Sequence, residues 1–226
     1  MRRCGLLTFA ARTFDPTGSP TCASINPLVI EPMNRFTSPR IATDPAHRFP
    51  WFVRLFLANQ RRRYGRELEP ARLWGRTPWV FAALSLLYGA LDRRRSPIEP
   101  GLRSLITVRV SQINWCAFCI DINSENCLKR GVTEAQLEAL PAFEASDAFD
   151  ERTKAALAYA EAMTRTDAGV DDALVERVKR HFDDDALIEL TAIVAFQNMS
   201  SKFNAALGVQ PQGFCRVPTA ADEAKR

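Results

Sequence analysis

The chain has 226 residues, 46% of them hydrophobic, and a formal net charge of +4. That length supports one good core or two small ones. The charge is modest, and Arg61-Arg62-Arg63 and Arg93-Arg94-Arg95 read as solvent-facing helix ends, because no aromatic-interleaved basic stripe accompanies them; a nucleic-acid partner is not expected. The longest apolar run, 79–91, is interrupted by Ser85 and falls short of the about 20 residues that span a bilayer, so it is expected to be a buried core helix. Six cysteines in a chain of this size make no dense disulfide framework, which fits a reducing cytoplasm.

Residues 1–47 are rich in proline, carry Cys4 and Cys22, and show no sustained periodicity. They are expected to be a disordered extension, with Met33 as the working start of translation and 48–226 as a single domain. From residue 50 onward the signals are helical. An apolar stretch at 51–57 runs into the first arginine triad, and Pro78 suits the first turn of the next helix. Ser96-Pro97-Ile98-Glu99 has capping-box spacing and is expected to open a helix whose Leu102, Ile106 and Ile113 share a face. Arg109 lies on that face and reads as an ion-paired or snorkelling residue.

The next helix starts at the dithiol and ends at Lys129-Arg130-Gly131, a cationic last turn followed by a glycine stop. Thr133-Glu134-Ala135-Gln136 is a capping box whose short helix should stop at Pro141. Asp150, Asp171 and Asp183 are placed to start three further helices, the last reaching about residue 207. On that helix Ile193, Phe196, Ser200, Phe203 and Leu207 form a seam for a core or a partner subunit. A second stripe, Gln197, Asn198, Ser201 and Lys202, is polar, and lining a pocket and facing solvent are equal readings of it. No alternating Val/Ile-rich strands and no hairpin dipeptides occur, so the fold is expected to be all-α, from seven or eight helices.

Cys116 and Cys119, in Trp115-Cys116-Ala117-Phe118-Cys119, carry the strongest chemical signal. Thiols three residues apart at a helix start can close a disulfide across one turn, and the positive end of the helix dipole favours thiolate. A thioredoxin assignment would need a βαβ context, which helical flanks do not supply. Zinc needs about four ligands; Cys127 and Cys215 are candidates to complete a set, with His47 and His181 distant in sequence. A Cys-His hydrolase needs a histidine base, and His181 reads as a surface residue. Two readings stay open on the residues themselves: a redox pair, or two buried cysteines acting as small hydrophobes.

From 102 to 131 the order Leu-Arg-Ser-Leu-Ile-x-x-Arg-Val, then Cys-x-x-Cys, then a helix closed by Arg-Gly-Val-Thr, resembles the alkylhydroperoxidase D-like family of the carboxymuconolactone decarboxylase superfamily. The resemblance is strong over 100–140 and continues in helix pattern to about 210, leaving 1–47 outside. It implies a compact all-α homo-oligomer that reduces small hydroperoxides with electrons from an external dithiol and needs no metal, flavin or haem. It further implies that Cys119 attacks the peroxide and that Cys116 is the more accessible, resolving thiol. The family's redox members usually have histidine where this chain has Asn123, and glutamate where it has Ser104; an amide and a hydroxyl hydrogen-bond but do not relay protons. Asp121 is expected to face solvent or cap. Two other functions are consistent with the resemblance: a dithiol-independent decarboxylase of a lactone acid, with Arg103 or Arg109 on the substrate carboxylate, and a non-enzymatic redox-sensing module.

Overall fold

Prolines and capping side chains decide where the helices begin. The computed structural model describes residues 39–42, 44 and 47–215. Among them are nine α-helices, one 3-10 helix and no strand: α1 Trp51–Tyr64, α2 Glu69–Gly75, α3 Pro78–Leu91, α4 Pro100–Ile113, α5 Ala117–Lys129, α6 Glu134–Ala139, the 3-10 turn Leu140–Ala145, α7 Glu151–Thr164, α8 Asp172–Lys179 and α9 Asp184–Ala206. The all-α expectation holds, with two short elements beyond the expected count: α2, and the 3-10 turn into which Pro141 diverts the chain instead of ending it. No helix among the described residues is long and apolar enough to cross a membrane.

The expected caps are in place on four helices. Thr133 and Gln136 exchange both bonds of a capping box. Asp150 accepts from Thr153 N, Asp171 from Leu174 N and Asp183 from Ala186 N, each at 2.8 Å. Gly131 ends the α5 region with φ +84°, a backbone region open to glycine at little cost. The box at Ser96 does not form. Pro100 disfavours helical backbone at Glu99, which is extended at φ −60°, ψ 147°, so α4 starts at Pro100. Ser96 Oγ instead bonds Ile98 and Glu189.

Helix α4 is the hub, packed on α5, α7 and α9. Its Leu102, Leu105, Ile106, Val108 and Val110 meet Ala155, Ala156 and Leu157 of α7 and Leu190, Ile193 and Val194 of α9 in the main core. Each large aliphatic side chain buried there contributes about 1.5–3 kcal/mol. A second cluster gathers Leu73, Cys116, Phe118, Cys119 and Val209, and a third joins Val53, Leu57, Ala71 and Phe81. Gly75 lets α2 press on α1, because a Cβ there would stand 2.9 Å from Val53 Cγ1.

Helix α3 corrects an expectation. It is not a buried core helix: only Phe81 is buried, and Trp79 and Leu86 are 80% and 75% exposed. An apolar run records a preference for leaving water, and α3 lies at the edge, where the described residues offer little to cover it. Most of the expected 1–47 extension lies outside the described residues. Within it, Arg40 is hydrogen-bonded to the end of α9, through its N to Leu207 O at 2.9 Å and through Nη1 to Ala206 O at 3.0 Å.

Candidate active site

The dithiol sits at a sharp α4–α5 junction. Trp115 has a φ of +55°, a left-handed backbone that costs a non-glycine residue about 1–2 kcal/mol. That turn, with Cys116 N donating to Ser111 O at 3.0 Å, makes Cys116 the N-cap of α5. Its Sγ accepts from Cys119 N at 3.3 Å, so the two residues face each other across the first turn. From α9, Asn204 Nδ2 donates to Cys119 Sγ at 3.2 Å.

Cys119 lines a cavity of about 300 Å³; Cys116 does not. The cavity is walled by aromatic groups, among them Trp74, Phe81, Phe118 and Phe196, and by the amides of Asn123, Asn126 and Gln197. Trp74 stacks on Phe203 at 3.6 Å between centroids, fixing α2 against α9. Cys116 was expected to be the more accessible thiol, and here it is not: it is 1% exposed against 3% for Cys119. It shares its apolar cluster with Val209 and Phe214 of the segment after α9. Asp121 also departs from expectation. It is buried, and its carboxylate ties that segment down by accepting from Gln212 N and Cys215 N, both at 2.8 Å.

The helix start does not make Cys116 a thiolate. Burial first, then its hydrogen bond to Cys119 and repulsion from a charged Cys119, push the Cys116 thiol well above the ordinary thiol range. The Cys119 N–H and the Asn204 amide pull the other way and are outweighed. Cys116 is therefore held as a neutral S–H next to the sulfur that faces the cavity.

Of the polar stripe on α9, Gln197 and Ser201 turn inward and Lys202 outward. Gln197 Nε2 donates to Ser111 Oγ at 2.8 Å, and Asn114 Nδ2 donates to Ser201 Oγ at 2.8 Å and Asn198 Oδ1 at 2.9 Å. The residue missed in the sequence is Asn204. It completes the spacing Gln197, Ser201, Asn204, four and then three residues apart on one helix face.

Asn123 borders the thiol cavity and also a smaller niche behind it. Ser104 lies in that niche and accepts from Arg130 Nη1 at 3.2 Å. Arg109 is ion-paired with Glu161 and bonds Gln112 at 3.0 Å, which leaves it outside both cavities. Cys127 is buried in the main core, in a different cluster from the dithiol. Among the described residues no group of three or more His, Cys, Asp and Glu side chains is placed to hold a metal ion.

Comparison with known proteins bears on the same region. The family model for the carboxymuconolactone decarboxylase family matches residues 78–162, from α3 to α7. The uncharacterized protein YnjA of Escherichia coli is 41% identical over 174 residues, covering 77% of this chain and 96% of YnjA. A peroxidase-related protein from Silicibacter superposes with a TM-score of 0.70 at 20% identity, covering 80% of this chain and 95% of its own. The alkylhydroperoxidase AhpD core protein from Ralstonia eutropha gives 0.68 at 21%, covering 78% and 94%. The debrominase Bmp8 gives 0.64 at 23%, covering 85% and 96%. The structural likenesses establish the AhpD-like helical fold, and the family match with the extent of identity to YnjA establishes descent: the chain belongs to the carboxymuconolactone decarboxylase family.

Proposed function

We propose that the protein is a thiol-dependent oxidoreductase that reduces small hydroperoxides through Cys119 and Cys116. The observation that carries this reading is the asymmetry of the pair. Cys119 faces the cavity with its sulfur held by Asn204, while Cys116 stands one turn away, out of the cavity and protonated.

The chemistry follows from that asymmetry. The Cys119 thiolate attacks the outer oxygen of the hydroperoxide, and the O–O bond breaks. Cys116 S–H gives its proton to the departing alkoxide, which leaves as the alcohol and makes Cys116 the thiolate. That thiolate attacks the Cys119 sulfenic acid; the S–S bond forms and hydroxide leaves, taking a proton from solvent to become water. An external dithiol then reduces the disulfide. A proton donor already in place accounts for a site with Asn123 and Ser104, where the family resemblance leads one to expect histidine and glutamate. Asn204 and the Cys119 N–H hold the sulfurs through the cycle, and Asn123 borders the space where the peroxide would lie.

The test is a stoichiometric pulse of cumene hydroperoxide on reduced protein, followed by peptide mass spectrometry and by turnover with dithiothreitol. A Cys116–Cys119 disulfide is expected, with turnover abolished in Cys119→Ser. Undiminished turnover in that variant overturns the assignment. Cys116→Ser should stop at the sulfenic acid, which a dimedone adduct would reveal.

A further inference from the structure

The small niche behind the thiol cavity has a composition that the redox cycle does not require. Its volume is about 50 Å³, room for one or two water-sized groups. It shares Tyr88, Asn123, Asn126, Phe196 and Gln197 with the cavity that Cys119 lines, so the two adjoin. Two guanidiniums lie in its wall, from Arg103 and Arg130, and one carboxylate, from Asp92.

That carboxylate is shared. Arg130 Nη2 approaches Asp92 Oδ1 and Oδ2 at 2.9 and 2.8 Å, and Arg103 Nη2 stands 3.2 Å from Oδ1. Two positive charges thus meet one negative charge. The nearby Glu189 does not supply the second, because it is committed to Arg93 and Ser96. Arg103 is only 5% exposed; its Nη1 donates to Ile98 O and Arg93 O, and its Nε is buried with no hydrogen-bond partner. A buried guanidinium with an unused donor and half a counter-ion is costly unless an acceptor occupies the space beside it. Of the other polar groups of the niche, Ser104 accepts from Arg130, and Thr107 and Gln197 donate to Ser104 O and Ser111 Oγ; the amides of Asn123 and Asn126 and the Tyr88 hydroxyl can donate.

We propose that this niche is a carboxylate-binding subsite, and that the substrate carries an acid group there while its reactive atom lies against Cys119. The proposal rests on the thiol reading for the reacting end only; the anion site itself is a property of Arg103, Arg130 and their neighbours. The substrate class is a compact, partly aromatic acid: its ring fits the aromatic walls of the larger cavity, and its carboxylate takes the excess positive charge. Charge-assisted hydrogen bonds of this kind are the strong ones, particularly where the guanidinium offers paired donors.

Two measurements test this. In the first, benzoate and its neutral isostere benzamide are titrated into reduced protein by calorimetry. Benzoate should bind and benzamide should not, and Arg130→Gln should remove the preference while Arg130→Lys retains part of it. In the second, cumene hydroperoxide is compared with its para-carboxylated form. The acid should have a KM lower by about tenfold or more, the worth of one charge-assisted bond, and Arg130→Gln should bring the two KM values together. Arg130 is a quarter exposed at the end of α5, so its replacement leaves Asp92 paired with Arg103. Should Arg130→Gln fail to fold, the benzoate–benzamide contrast in the unmodified protein decides the matter. Equal binding of the two, or a benzoate preference unchanged in Arg130→Gln, overturns the subsite. Benzoate selectivity without turnover of either peroxide would instead uphold the subsite and refute the thiol reading.

Discussion

Helices α3 and α4 have the same length, and the one without a single charged residue is the one left outside. α3 buries Phe81 alone; α4, which carries Arg103 and Arg109, buries eight of its fourteen residues, including Arg103, Ser104 and Ser111. Position in the topology explains the inversion. α4 has helices and the loop before it to supply partners: Gln197 for Ser111, Ile98 O for Arg103, Glu161 for Arg109. Polar groups can therefore be carried to the middle of the bundle, where they line cavities. Among the described residues little covers α3, whose composition is suited to something other than water. The difference separates two tasks: the hub carries polar groups into the niche behind the thiol cavity, while the edge helix gives one side, with Phe81 and Tyr88, to the cavity itself and leaves the other as a surface for contact.

The hub half of the comparison is the easiest to break. Ile106 is fully buried in the main core. Ile106→Ala should cost about 2–5 kcal/mol in urea unfolding, the range for truncating a core aliphatic residue. A loss below about 1 kcal/mol would mean that α4 is not the hub. A somewhat smaller effect is expected at Arg109. Replacing it by Met leaves Glu161 without its ion-pair partner in a partly buried setting, at a cost of about 2–3 kcal/mol. The double variant with Glu161→Gln should recover part of that loss, and strict additivity would show that the pair is not coupled.

How much of this could be read from the sequence depended on whether the signal was local. Caps at Thr133, Asp150, Asp171 and Asp183 were legible because a side chain three residues from its backbone partner needs no tertiary structure. The Ser96 box failed for an equally local reason, Pro100, which outweighs a favourable spacing. The dithiol was visible, but the burial of Cys116 was not, because Val209 and Phe214 reach it from a segment about ninety residues away. Asp121 was misjudged on the same ground: its partners, Gln212 and Cys215, come from that segment. The α3 helix was legible as a helix and misread in burial, since hydropathy does not say whether the covering surface belongs to the same chain.

The thiols outside the cavity give a pH test of the hub. Burial pushes Cys127 up to about 12, the nearby Arg130 offsetting only part of the effect. An acid whose folded pKa is raised keeps its proton in the folded state after the unfolded chain has lost it. Stability is therefore intact below the unfolded value of about 8.5 and falls as pH rises from there toward the folded value. One such thiol accounts for about 2 kcal/mol by pH 10, and Cys116 acts in the same direction. Cys127→Ala should flatten the alkaline slope of urea stability between pH 8.5 and 10. An unchanged slope would mean that Cys127 meets water.

The smallest effect on the folded subunit is expected where the surface is most apolar. Trp51 and Leu55 of α1 and Trp79, Val80, Leu86 and Leu87 of α3 are all exposed, and a patch of that kind marks an interaction surface. We expect a second copy of the chain to cover it, with the oligomer held through α3. Leu86→Glu replaces one good helix former by another at a site 75% exposed, so the isolated subunit should change by less than about 0.5 kcal/mol. The assembly should change far more, because a carboxylate buried at an apolar interface must be desolvated. Light scattering should find a multimer for the unmodified protein and a lower mass for Leu86→Glu, with a melting temperature that depends on concentration only in the former. Should the unmodified protein remain a monomer at high concentration, the exposed face of α3 would need another occupant, and the contrast between a hub buried by its own chain and an edge helix whose outer face joins subunits would fail at its second half.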